Sequence, residues 1–215
     1  MALAARAELS TALAVLNRLV DLQPTMERHS LCGSAYKRLA MIERVAGRPA
    51  HADAALRDML RCYAAAECLG CDAGMSDWYY PAWNRLAGEI ALQTSTARIK
   101  GKAAQVPLDD ERWAAVRQML VNKTRNDPDF FSVVGLTEVR MLEAIADGSL
   151  SQAGAGIASE FDALHARMPS TPKWKSVHDQ LDFALAGVFA HGAPAERDAA
   201  RTLLSHVEAY IDAGG

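Results

Sequence analysis

Residues 27–45 read ERHSLCGSAYKRLAMIERV, and their spacing decides the fold class. Leu31, Ala35, Leu39 and Ile42 recur at three- and four-residue intervals, which on an α-helix lays them along one apolar stripe. Upstream, Leu9, Leu13, Leu16 and Val20 repeat the pattern over residues 3–22, and Pro24 stops it. Downstream, Leu56, Met59, Leu60 and Tyr63 define a helix over 51–70, with Gly70 placed to cap it and Cys71 to Asp77 as a loop. The connection at Gly47-Arg48-Pro49 is short, so these neighbours must pack antiparallel. A further helix is predicted from Trp78 to Leu92, where Pro81 falls in the first turn and costs no hydrogen bond.

The second half continues in the same way. Trp113, Val116 and Leu120 mark a helix ending near Lys123. Asp127-Pro128 reads as an N-cap followed by proline at the first helical position, and Gly148 as the end of that helix. Ile157, Phe161, Leu164 and Met168 carry another, and Thr171-Pro172 repeats the cap-and-proline start. A last helix is expected from about Pro194 to Ile211. No stretch alternates apolar and polar residues as a strand would. The expected fold is all-α, with about nine antiparallel helices.

Composition bounds the function. The chain has 215 residues, half of them hydrophobic, and a formal net charge of −3. That balance argues against nucleic-acid binding, which needs a surplus of Lys and Arg to neutralise phosphates. No apolar run approaches the length of a membrane span, so neither nucleic acid nor a membrane is expected as a partner. The N-terminus is interrupted early by Arg6 and Glu8 and is not an ordinary signal peptide. Only four cysteines occur, which points to a reducing compartment and a cytoplasmic location. Residues 93–107, QTSTARIKGKAAQVP, lose apolar periodicity and gain cations. The expected organisation is a helical region over 1–95, a linker or mobile loop over 96–107, and a second helical region over 108–215 packed on the first.

Two segments share a pattern: LCGSAYKRLA at 31–40 and DWYYPAWNRLA at 77–87. Gly33 and Tyr36, and then Tyr63 and Ala66, stand where a tetratricopeptide repeat carries its small and aromatic residues. With DPDFFSVVGLTEVRMLEAIADGSL at 127–150 and TPKWKSVHDQLDF at 171–183, residues 25–190 resemble the tetratricopeptide-like TRAFs-binding helical region. That region is found in kinases of the mitogen-activated cascade and in bacterial effector and signalling proteins. The resemblance implies a helical solenoid, a scaffold or regulatory role, a bacterial origin, and a chain that begins inside a repeat as a piece of a longer protein with an adjacent effector domain. It carries over packing motifs and no catalytic residue. Cys32 departs from it, standing where such repeats have a larger aliphatic residue, and so does the connection after the first helix, which is longer than in a standard repeat.

Among chemistry-bearing groups, Cys62, Cys68 and Cys71 with His51 raise a zinc or thiol reading. Zinc wants four ligands, commonly from paired Cys-x-x-Cys knuckles, and only one such pair is present. His29 and Cys32 could touch across one helical turn, but nothing supplies an oxyanion hole. Ser34 reads as a packing serine. Asp109, Asp110 and Glu111 complement a helix N-terminus. A nucleic-acid binder using Arg98, Lys100 and Lys102 is a third reading, which the acidic total disfavours. Tyr80, Asn84 and Arg85 form the most suggestive group, because Tyr80 and Asn84 share a helical face and could meet an extended peptide beside Lys37 and Arg38, while Trp83 points into the core. The expected protein is therefore a non-enzymatic interaction scaffold or regulatory module without catalytic residues, metal or cofactor. It binds a protein or peptide partner through Tyr80, Asn84, Arg85, Lys37 and Arg38. The alternative is a zinc- or thiol-dependent sensor or enzyme built on Cys62, Cys68 and Cys71.

Overall fold

The computed structural model describes residues 2–97 and 110–212. Among the described residues the chain forms nine helices and no strand: α1 (Ala2–Leu22), α2 (Met26–Val45), α3 (Pro49–Asp72), α4 (Tyr79–Ala97), α5 (Asp110–Asn126), α6 (Phe130–Asp147), α7 (Leu150–Arg167), α8 (Thr171–His191) and α9 (Pro194–Asp212). The all-α expectation holds. The chain divides into two compact units, Met1–Leu92 and Gln93–Gly215. Most of the expected 96–107 linker, with Arg98, Lys100 and Lys102, lies outside the described residues; α4 continues to Ala97.

In the first unit, α2 opens behind Thr25, whose hydroxyl accepts a hydrogen bond from the Arg28 amide at 3.1 Å. Helices α2 and α3 pack closely along their length. The seam turns on Gly33. A Cβ there would stand 2.8 Å from the Cε2 and Cζ atoms of Tyr63, so only glycine lets the ring lie flat on α2. The ring that fills this contact is Tyr63, fully buried on α3, whereas Tyr36 is half-buried. Leu31 departs from its expected stripe. It is 48% exposed, because the buried face of α2 is set by Met26, Cys32, Gly33, Ala35 and Ala40, one position round the helix. Helix α4 buries Tyr79, Trp83, Leu86 and Ile90.

Helix α1 lies on α2. The Arg28 guanidinium donates from Nη1 to the carbonyls of Leu19 at 2.9 Å and Gln23 at 2.7 Å, closing the turn that Pro24 begins. Glu43 is buried and meets two guanidinium Nε atoms, of Arg6 at 2.8 Å and of Arg48 at 2.5 Å. A buried carboxylate needs such partners, since its desolvation alone would cost several kcal/mol.

Helix ends fall a residue or two from their expected places, each for a local reason. Gly70 does not cap α3 but lies buried within it; a Cβ there would reach 2.5 Å from Met26 Sδ. The helix runs on to Asp72, and Gly74 supplies the left-handed turn at φ 63°. The cap of α6 is Asp129 rather than Asp127. Its carboxylate accepts from the Ser132 amide at 2.8 Å and the Ser132 hydroxyl accepts from its amide at 3.1 Å, a reciprocal box that Pro128 cannot make. For α8 the cap position is Ser170, with Thr171 the first helical residue.

In the second unit, α6 packs on α5, α7 and α8, and α9 on α7 and α8. Trp174 sits at its centre, fully buried, with ring edges against Phe130, Phe161 and Tyr210 and its Nε1 donating to the Met168 carbonyl at 2.9 Å. Ser149 gives α7 no side-chain cap. Glu196 of α9 does so instead: its carboxylate accepts from the amides of Leu150 at 2.9 Å and Ser151 at 3.0 Å. A carboxylate facing a helix N-terminus satisfies orphan amides and the helix dipole together. Glu196→Ala is therefore expected to lower stability by about 1–2 kcal/mol, read as a shifted denaturation midpoint, with Glu196→Gln retaining part of it.

Candidate functional site: a hydroxyl cluster across three helices

On the first unit three hydroxyls from three helices converge. Ser34 Oγ of α2 lies 2.9 Å from the Tyr63 hydroxyl of α3 and 3.4 Å from the Tyr80 hydroxyl of α4. The two tyrosine rings meet edge to face at 6.4 Å between centroids. Tyr63 is the buried half of this pair; burial pushes its phenol well above the ordinary range, so it stays neutral. Tyr80 is 36% exposed and presents the cluster to solvent. Ser34 thus joins residues that sequence spacing alone left on separate helices, and the contact is visible only once Gly33 seats Tyr63 on α2.

The other expected partner-binding residues surround it unevenly. Arg38 is exposed and Lys37 half-buried, both on α2 after Ser34. Arg85 is drawn into a bridge between α3 and α4, with Nη1 3.1 Å from Glu67 and Nε 3.1 Å from Glu89. Asn84 differs from its expected orientation. It is 4% exposed, and its amide donates to the Tyr80 carbonyl at 3.0 Å. Residues four apart share a face, but here that face turns inward just beyond Tyr80. Trp83 is buried as expected.

The cysteines do not assemble. Cys62 faces Cys32 across the α2–α3 seam, and burial drives its thiol up to about 12. Cys32 is buried, its thiol raised by desolvation, and its Sγ lies 3.8 Å from Asn17 Oδ1. Cys68 and Cys71 are exposed at the C-terminal end of α3, where Cys68 donates to Asp72 at 3.4 Å and that bond raises its thiol. A helix C-terminus disfavours the Cys68 thiolate, the reverse of the helix N-terminal setting that activates redox cysteines. His51 is exposed, and among the described residues no group of three or more His, Cys, Asp or Glu could hold a metal ion.

The second unit carries a polar cluster that the sequence reading missed. Asp162 accepts from the Tyr210 hydroxyl at 2.8 Å and lies 2.9 Å from His206 Nε2, while His165 stacks on Tyr210 at 4.2 Å. The His206 contact holds the Asp162 carboxyl below its usual range. Its signal was the one-turn spacing of Asp162 to His165 and of His206 to Tyr210. Arg201, Thr202, Ser205, His206 and Ala209 line a shallow cleft of about 450 Å³ nearby. Asp162 and His206 are both well exposed to solvent, which fits a surface contact worth little.

Residues 1–93 match the family model described as Tetratricopeptide Repeats-Sensor. No curated protein and no solved structure matches the chain. The match covers the first unit and supports a tetratricopeptide-like fold there, an architecture associated with protein–protein interaction rather than catalysis. No helix among the described residues is long and apolar enough to cross a membrane.

Proposed function

We propose that the chain is a non-enzymatic interaction module, a scaffold or regulatory element that recognises an acidic peptide or partner domain on the Tyr80 face of its first unit. The observation that carries this reading is the Ser34–Tyr63–Tyr80 cluster, which fixes a half-exposed tyrosine beside Lys37 and Arg38. A phenol held by the Ser34 hydroxyl and the edge of the Tyr63 ring offers contact area and a hydrogen bond at small entropic cost. Arg38 and Lys37 supply the positive edge that favours an acidic ligand. Arg85 borders the surface, and Asn84 shapes it from beneath by holding the Tyr80 turn. The matching family is described as a sensor, which fits a regulatory role, as does the resemblance to the TRAFs-binding region of signalling proteins. A cytoplasmic setting and an effector domain in the same longer protein belong to the same reading.

Titration with a fluorescent glutamate-rich peptide tests it. Arg38→Glu is expected to weaken binding about tenfold, ~1.4 kcal/mol, with the melt unchanged because Arg38 is exposed. Asn84→Ala is expected to act on stability instead, by about 1 kcal/mol, since it removes a buried amide hydrogen bond. Saturable binding that Arg38→Glu leaves untouched would place the peptide on another face, and no binding at all would remove the proposal.

A further inference from the structure

Helix α1 has two stripes. Leu13 is buried and Leu9, Leu16 and Val20 half-buried on the side that meets α2. On the far side Ala4, Glu8, Thr11, Val15, Arg18 and Leu22 are all exposed. Their intervals run four, three, four, three, four, which is the a/d spacing of a coiled-coil seam. Val15 is 54% exposed, Leu22 80%, and Leu19 beside them 37%. Ala4, Val15 and Leu22 are interspersed on this stripe with Glu8, Thr11 and Arg18, a mixed apolar and charged pattern rather than singly scattered apolar residues.

We propose that this stripe is a two-fold interface with a second copy of the chain, α1 packed antiparallel on α1. The occupant follows from the stripe's own symmetry. Reversed about its midpoint at the level of Leu13, it brings Ala4 opposite Leu22, Glu8 opposite Arg18, and Thr11 opposite Val15, each pair occurring twice. Every layer then sets an a position against a d position, as antiparallel pairs of helices do. The largest apolar side chain of the stripe, Leu22, meets the smallest, Ala4, and each acid meets a base. A self-complementary patch of this kind is the requirement of an isologous dimer. Parallel pairing would instead oppose Glu8 to Glu8 and Arg18 to Arg18, and like charges across a seam reject that orientation. An unrelated partner helix would impose no such mirror order on this one. The interface uses none of the residues of the Tyr80 face, so it stands apart from the peptide-binding proposal.

Sedimentation velocity on the full chain over a range of concentrations reads the outcome against the chain mass of 23.2 kDa. The expected result is a reversible species of twice that mass. Leu22→Glu is expected to raise its dissociation constant about tenfold or more, and Glu8→Arg to do the same by facing Arg18 with a like charge. The double variant Glu8→Arg, Arg18→Glu restores opposite charges and is expected to recover dimerisation. All these positions are exposed, and helix content by circular dichroism checks that each variant is folded. A parent that stays monomeric at every concentration overturns the proposal. So does a dimer indifferent to Leu22→Glu, or one that the double variant fails to restore.

Discussion

Trp83→Ala lowers stability by about 3–5 kcal/mol, the cost of emptying a fully enclosed aromatic site. The ring is 4% exposed on α4, in a unit whose core is otherwise made of Leu, Met, Ile, Ala and Cys side chains with Tyr63 and Tyr79. Neighbours of that kind cannot collapse into so large a void without moving a helix. A second substitution sharpens the test. The Trp83 Nε1 is buried with no hydrogen-bond partner among the described residues. Trp83→Phe therefore gives up no hydrogen bond, removes an unsatisfied donor, and loses only part of the volume. It is expected to cost well under half of the alanine change. Denaturant titration followed by far-ultraviolet circular dichroism measures both. Equal losses for Phe and Ala would mean that the indole nitrogen, not the ring volume, holds the site.

Gly33→Leu is the second large effect. A bare Cβ at Gly33 already falls 2.8 Å from the Tyr63 ring, and Tyr63 is fully buried with its hydroxyl tied to Ser34. The ring has no free direction in which to yield, so α2 and α3 must separate. Overpacking of this kind costs about 1–3 kcal/mol and here the upper end is expected, offset by about 1 kcal/mol of helix propensity gained over glycine. Thermal melts should place Gly33→Ala between parent and leucine variant. A leucine variant as stable as the parent would mean that the α2–α3 seam is looser than the contact distances require. The same substitution disturbs the proposed partner surface, because it displaces the tyrosine that positions Ser34 and Tyr80.

Helix identity was legible throughout, because stripes such as Leu56, Met59 and Tyr63 are spaced for one buried face and all three are fully buried. Terminal positions were less so. Asp127-Pro128 has the right residue types for a start, yet Asp129 with Ser132 offers two reciprocal bonds and wins the cap. Leu31 shows the limit of periodicity: two stripes one position apart fit α2, and only the packing of α3 on Gly33 selects between them. The candidate site was half legible. Tyr80 on one segment and Lys37 and Arg38 on another could be singled out by residue type, but spacing did not join their helices, and Asn84 could not be known to turn inward. Ser34 gained its role from Tyr63 and Tyr80, 29 and 46 residues away in sequence. The buried Glu43 with Arg6 and Arg48 left no trace in the pattern, since a carboxylate on a helix ordinarily reads as solvated.

Selection from a random peptide library against the full chain, counted by sequencing, measures the proposed role most directly. The expected result is enrichment of acidic peptides whose recovery falls about tenfold on Arg38→Glu and on Tyr80→Ala, while Arg140→Glu on the exposed side of α6 leaves it unchanged. Enrichment no greater than on an unrelated helical protein, or peptides captured equally by the Arg38 and Tyr80 variants, would contradict an interaction module built on this face.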